Sequence, residues 1–417
     1  MKQSIYLALC ASTLLHAQVP ALLPIEKRTF SQSQFIPDIS LIVDTSFASR
    51  NKNQDDLQGL SVPGITDYAF GTGHGYSPNN GFNFNYSELI LSANVDPSFS
   101  LEATFHFTQE SVEIDEAYFT NTTLLQGLRL RGGQFLSDVG RLNNQHPHFW
   151  DFNEAPLIYQ GFLGAENLSE IGLQAQYTLP LDEYVMLGAE ILQGKSENFG
   201  YESLTLSNGD KIKGAAAPSM LVAYVKTSFD VGNTTVMPGA SYIYGKHYTR
   251  NSYDAHEIAF DGSSSVYNLE LTIKHYFDSY SFISWQSEWM RLEKKGDEYH
   301  VEDASLSSEV YKQKIIQEGI YSQLVYASNT NTRYGLRYES IYTNSYAFTE
   351  VDLPSTPYNR YSAMVEYHFS EFSRLRLEYS QNDALYSQSA NTFEKQNIHS
   401  LIVSLNLSIG AHGAHDF

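Results

Sequence analysis

Tyr361-Ser-Ala-Met-Val-Glu-Tyr-His-Phe369, then Glu371-Phe-Ser373, then Arg374-Leu-Arg-Leu-Glu-Tyr379 is the stretch that decides the fold. In the first run Tyr361, Ala363, Val365, Tyr367 and Phe369 alternate with Ser362, Met364, Glu366 and His368. In the second, Leu375, Leu377 and Tyr379 alternate with Arg374, Arg376 and Glu378. A period of two with one apolar face is the strand pattern, and Glu371-Phe372-Ser373 leaves room only for a tight turn. The same pattern recurs outward from this hairpin. Leu101, Ala103, Phe105 and Phe107 alternate with Glu102, Thr104, His106 and Thr108. Leu269, Leu271 and Ile273 face the opposite way from Asn268, Glu270, Thr272 and Lys274. Tyr334, Leu336 and Tyr338 oppose Arg333, Arg337 and Glu339, and Leu401 to Leu407 repeat the pattern near the end.

Alternation alone also suits a soluble sandwich, so the connections carry the choice. Tight ones fall at Asp96-Pro97, Asp230-Val-Gly-Asn233, Phe277-Asp-Ser279 and Asn329-Thr-Asn331. Long polar ones fall at 50–84, 137–168, 196–215 and 296–308. Short turns at one end and long loops at the other is the outer-membrane arrangement. Composition agrees, with 30 Tyr and 24 Phe but only 18% charged residues. No internal run approaches the roughly 18 apolar residues of a membrane helix. The expected fold is all-β, a transmembrane antiparallel β-barrel of about 16 strands (roughly 14–18) with both termini periplasmic. A barrel of that size leaves an aqueous lumen.

The beginning of the chain supplies the address. Met1-Lys2, the apolar run Ile5 to Leu15 and Ala17 read as a signal peptide over 1–17. Residues 18–36 read as a periplasmic tail and 37–417 as the barrel. Cys10 is the one cysteine and falls within the signal, so no disulfide is expected in the mature chain. The net charge of −21 argues against nucleic acid as a partner. It does not set ion selectivity, which depends on the charges lining a pore. The expected location is the bacterial outer membrane. The expected partners are its lipid, small polar solutes or ions, and the barrel-assembly machinery that would read Phe417. A homo-oligomer is compatible with this reading.

The 137–168 loop holds the candidate chemistry. Phe149, Trp150, Phe152, Phe162 and Leu163 would be poorly solvated on an outer loop. Inward folding into a constriction is therefore expected, the alternative being a loop packed over the barrel mouth. Asp138 and Arg141 would face the narrowed lumen, with Arg129, Arg131, Arg333, Arg337, Glu339, Glu366, Arg374, Arg376 and Glu378 projecting from the wall. Opposed ladders of this kind set up a transverse field, although interleaved Glu residues leave anion preference open. His146-Pro147-His148, with Asp138, Asp151 and His74, is the candidate metal set. Imidazole and carboxylate suit zinc, and residues two apart in extended chain project to one side. The barrel requires no cofactor, so zinc stands as an optional ligand. No Gly-x-Ser-x-Gly elbow or triad spacing appears, and the chain is not read as an enzyme.

One ordered set of motifs carries a family resemblance. It comprises Glu88-Leu-Ile-Leu-Ser-Ala-Asn-Val-Asp-Pro97, Glu113-Ile-Asp-Glu-Ala-Tyr-Phe119 and Arg131-Gly-Gly-Gln-Phe135. Asp138-Val-Gly-Arg-Leu-Asn143, Gln145-His-Pro-His148, Trp150-Asp-Phe152, Phe162-Leu-Gly164 and the closing Gly410-Ala-His-Gly-Ala-His-Asp-Phe417 complete it. The set resembles the bacterial outer-membrane family labelled "zinc-regulated TonB-dependent outer membrane receptor", and more distantly the phosphate-selective porins. The resemblance implies an outer-membrane transport barrel. Familiar plugged transporters have about 22 strands, whereas here the first strand begins near Pro37, so a barrel with no plug domain is expected. The expected function is a porin-like channel for passive diffusion of small hydrophilic solutes. The alternative is a zinc-linked uptake receptor. A lumen filled by side chains would point to a non-transport barrel instead.

Overall fold

The computed structural model describes residues 37–65, 79–109, 111–164, 167–196, 198–200, 202–253, 256–302, 305, 307–345, 353–389 and 392–410. The expected signal peptide and tail, His74 and residues 411–417 lie outside the described residues. Sixteen long strands among the described residues pair in sequence order into one antiparallel sheet that closes on itself. They are β1 Asp38–Arg50, β2 Gly81–Asn94, β3 Phe99–Phe107, β4 Val112–Asn121, β5 Leu128–Leu136, β6 Ser169–Thr178, β7 Tyr184–Leu192 and β8 Met220–Val231. There follow β9 Thr234–Tyr253, β10 His256–Tyr276, β11 Phe282–Val301, β12 Glu309–Ala327, β13 Thr332–Asn344, β14 Tyr358–Ser370, β15 Ser373–Ser389 and β16 Thr392–Gly410. Closure comes from β16 returning to β1, with Ser40 opposite Gly410 and Arg50 opposite Ser400.

The wall is turned inside out relative to a soluble protein. On β14, Tyr361, Val365, Tyr367 and Phe369 are 43–59% exposed, while Arg360, Ser362, Glu366 and His368 are buried inside. Leu336 on β13 and Leu269 on β10 are likewise exposed, and Glu339 and Glu270 are not. Apolar-out and polar-in alternation is what lipid outside and a polar lumen require. Among the described residues no helix is long and apolar enough to cross a membrane, and the strands do the crossing. This wall belongs in a bacterial outer membrane.

The turns at 95–98, 232–233, 277–281, 328–331 and 371–372 open from one end, where Asp38 and Gly410 also lie. We call this the periplasmic end. The wall is uneven in height. β3 to β7 have 9 or 10 residues, near the span of a bilayer, whereas β9 to β12 have 19–21. The expected loop at 296–308 is accordingly shorter. Gly296 pairs with Gln313 and His300 with Glu309, so strand continues through Val301. Beyond the lipid band both faces of a strand are wet, and the ladder persists without the alternation that marks it in sequence.

Bulges re-aim several inward positions. On β4 the register slips between Thr104 and Phe105 of its neighbour, leaving Asp115 as the extra residue. Asp115 and Glu116 then both point inward. A similar slip at Asp44/Thr45 turns both Asn85 and Tyr86 of β2 into the lumen.

Candidate functional site

The segment between β5 and β6 leaves the extracellular end of the wall and runs down inside the barrel. Its two ends are closed by Asn143, whose amide donates to the carbonyls of Ser137 (2.7 Å) and Leu168 (3.1 Å) and accepts from the Leu168 amide (2.7 Å). Gly140, at φ +64°, lies where a Cβ would run into the Tyr159 hydroxyl and the Glu288 carboxylate, so only glycine fits the turn. A single 3₁₀ turn at Pro147–Phe149 and a short helix, Leu157–Phe162, give the segment its regular structure.

Wall carboxylates take up the backbone amides that this irregular chain would otherwise leave buried and unpaired. Glu190 on β7 accepts from the Asp138 amide (3.1 Å) and Glu288 on β11 from the Arg141 amide (3.1 Å). Glu378 on β15 accepts from Asn153 (2.8 Å) and Glu339 on β13 from Leu157 (2.7 Å). The arginines treat the carbonyls in the same way. Arg376 donates to the Trp150 carbonyl (2.6 Å) while pairing with Glu366 (2.6 Å). Arg360 donates to the Ala155 carbonyl (2.6 Å) while pairing with Glu339 (2.8 Å). Arg337 pairs with Glu339 (2.8 Å) and lies 4.5 Å over the Phe152 ring. The ladder residues Arg337, Glu339, Glu366, Arg376 and Glu378 are thus fastened to the segment or to one another, and do not line an open passage.

The segment divides the lumen. Toward the extracellular end, Leu157, Ile158, Tyr159, Phe162 and Leu163 join Leu57, Leu60, Val62 and Ile65 from the first long loop in one apolar cluster. Tyr358, Leu385, Tyr386 and Ile398 of the wall also belong to it. The first loop is pinned there by Leu60 and Ser61, which pair with Ser387 and Tyr386 of β15.

Toward the periplasmic end the space stays open and polar. One cavity of about 220 Å³ is lined by Arg141, Lys274, Arg333 and Arg374, with Phe282 and Asp151. A second of about 340 Å³ is lined by Arg129, Asp138, Lys226 and Glu270. Both touch Arg141, Asn144, Met237 and Thr272, so they are two lobes of one vestibule. Asp138 holds the Lys226 ammonium at 2.9 Å. Burial would raise its carboxyl pKa, but Lys226 and the nearby arginines outweigh that and hold it below the usual carboxylate value. Arg131 stands over the Tyr118 ring at 4.1 Å.

Among the described residues the expected metal set does not come together. Asp151 accepts from Gln323 (2.9 Å) in the vestibule wall, apart from the histidine pair, and His74 lies outside the described residues. His146 and His148 do stack, ring planes 8° apart and centroids 5.8 Å apart. Their partners come from the wall. His146 Nδ1 is 3.1 Å from Asp115 and its Nε2 is 3.0 Å from Glu116, and His148 Nδ1 is 2.8 Å from Glu88. Burial pushes the His146 imidazole toward its neutral form, but Glu88, Asp115 and Glu116 outweigh that and raise its pKa well above the ordinary 6.5. The three carboxylates were visible in the sequence, yet nothing there placed them. Simple alternation puts only one of Asp115 and Glu116 inside, and the bulge puts in both. Among the described residues no group of three or more metal-ligating side chains is arranged to hold a metal ion.

No protein-family model matches the chain. Among solved structures it is similar in fold to a loop-deletion form of OmpT, an outer membrane protein of Vibrio cholerae, with TM-score 0.51 and 12% identity. That match covers 89% of this chain and 99% of the other. The outer membrane channel DcaP of Acinetobacter baumannii gives TM-score 0.51 at 12% identity, covering 89% of this chain and 97% of that one. An anion-selective porin from Comamonas acidovorans gives 0.50 at 9%, covering 89% and 99%. At such identities the likeness is one of fold. A protein of Aquifex aeolicus (strain VF5), described only as uncharacterized, is 38% identical over 393 residues, 93% of this chain and 81% of its own length. The chain belongs to the family of that Aquifex aeolicus protein, and its fold is the closed sixteen-stranded barrel of the porins.

Proposed function

We propose that the protein is a diffusion channel for small hydrophilic solutes, narrowed by the segment folded into its lumen. The observation that carries this reading is the vestibule itself. A closed barrel with a charged, solvent-sized space beneath an inserted segment is the arrangement by which porins combine an opening with a sieve. Fold likeness to outer-membrane channels supports the same reading.

Single-channel recording of the refolded protein in planar bilayers tests it, with and without micromolar zinc. Steady open-channel currents that ignore zinc are expected. Complete absence of conductance from correctly folded protein would remove the channel reading.

The zinc-linked receptor is the second reading, and the observation in its favour is the meeting of His146 and His148 with Glu88, Asp115 and Glu116. The hydrogen-bonded and ion-paired geometry there makes the cluster an anchor for the segment, so the diffusion reading is preferred. Currents closed by zinc and restored in His146→Ala would reverse that preference.

A further inference from the structure

We propose that the smaller lobe of the vestibule is a binding station for small organic anions carrying two acidic groups, a dicarboxylate being the simplest. The inference rests on the channel reading and names the solute class that the channel would favour.

Several inward arginines and lysines elsewhere in the lumen sit against a carboxylate. Arg337 and Arg360 share Glu339, Arg376 holds Glu366, and Lys226 holds Asp138. The smaller lobe gathers more cationic side chains than carboxylates. Arg141 from the segment, Lys274 from β10, Arg333 from β13 and Arg374 from β15 converge on about 220 Å³, and Asp151 is the one carboxylate lining it. Among the described residues neither Arg141 nor Arg333 has a carboxylate oxygen within 4 Å. Arg374 meets Glu366 only at 3.7 Å, and Arg376 holds the same oxygen at 2.6 Å. Asp151 is itself engaged by Gln323, and burial raises its carboxyl pKa, which weakens the one opposing charge. Four cationic side chains around one lining carboxylate, in a chain of net −21, are a built feature, because gathering like charges in a partly buried space is costly.

The floor of the lobe narrows the ligand class. The Lys274 ammonium sits 4.0 Å over the Phe282 ring and the Arg333 guanidinium 5.9 Å from it. Met237 and Val325 extend the apolar surface. A bare inorganic anion has no use for that floor. A short carbon chain would lie on it, with an acidic group turned to the cations on each side, where arginine forks bind carboxylate best. The volume is below the roughly 300–1,000 Å³ of drug-sized sites, which limits the solute to a small one.

The test is calorimetric titration of the refolded, detergent-solubilised protein with succinate, inorganic phosphate and succinamide. Succinate is expected to bind, with phosphate weaker and succinamide silent. Arg333→Gln and Lys274→Gln should each weaken succinate binding at least tenfold, Arg333→Lys should recover part of it, and Lys312→Gln, on the outer wall, should change nothing. The shift between boiled and unboiled protein on a denaturing gel checks that each variant folds. Phosphate binding as tightly as succinate would overturn the dicarboxylate assignment, and no binding by either anion from folded protein would overturn the station altogether. Binding without conductance would sink the channel reading and leave the station standing, so the two failures are separable.

Discussion

The two ends of the lumen are lined by the same inserted segment and behave as opposites. Toward the cell exterior the segment presents Leu157, Ile158, Phe162 and Leu163 to an apolar lobe of the first loop, and the two pack together as a protein core packs. Toward the periplasm it presents Arg141, Asn144 and Asp151 to a polar wall, and the space stays open. Between these ends lies the layer where wall carboxylates and arginines grip the segment backbone. The difference teaches that an inserted loop needs two kinds of fastening. Apolar packing holds it without direction, and the charged layer sets its height and register.

Removing the contrast outright has the largest expected effect. Replacing residues 144–164 with a short Gly-Ser linker should raise single-channel conductance several-fold while leaving the strand signal in circular dichroism intact. Unchanged conductance would mean that the segment is not the constriction. Breaking the charged layer alone comes next. Arg376→Met takes from Glu366 and the Trp150 carbonyl their shortest arginine contacts, leaving His368 and the longer Arg374 contacts, and a loss of about 3 kcal/mol in folding free energy is expected in a urea titration. Phe162→Ala attacks the apolar end and should cost about 3 kcal/mol or more by leaving a cavity. It should also leave anion binding at the other end unaltered.

The smallest effect concerns the histidine anchor and depends on pH. The His146 pKa is raised in the folded protein, so its contribution to stability is fully present below about 6.5. That contribution is lost as pH rises through the higher folded value. Glu88, Asp115, Glu116 and His148 face it, and their mutual charges set how steep the loss is. The stability gap between wild type and His146→Gln should therefore be widest near pH 6 and shrink toward alkaline pH. A gap that stays constant from pH 6 to 10 would contradict the anchoring role.

Much of the wall was legible in the chain because its reading is local. Tyr361 to Phe369 announces its outward face by alternation alone, and the turn at Glu371-Phe372-Ser373 announces the periplasmic end. The long loop at 137–168 was also recognisable, since aromatic residues in a polar loop need cover. Less legible were positions where the pattern breaks. Asp115 and Glu116 are adjacent, and only the bulge against Thr104 and Phe105 brings both inside. Arg374 and Arg376 look alike in sequence, yet Arg376 is taken up by Glu366 and Trp150 while Arg374 also lines the vestibule.

By itself the sequence determined a barrel of outward apolar and inward polar strands, with short turns at one end, because strand periodicity and turn chemistry are properties of neighbouring residues. Only the tertiary structure decided which charges hold the segment and which stand open to a solute. That choice depends on register across strands far apart in the chain, and on where the segment comes to rest among them.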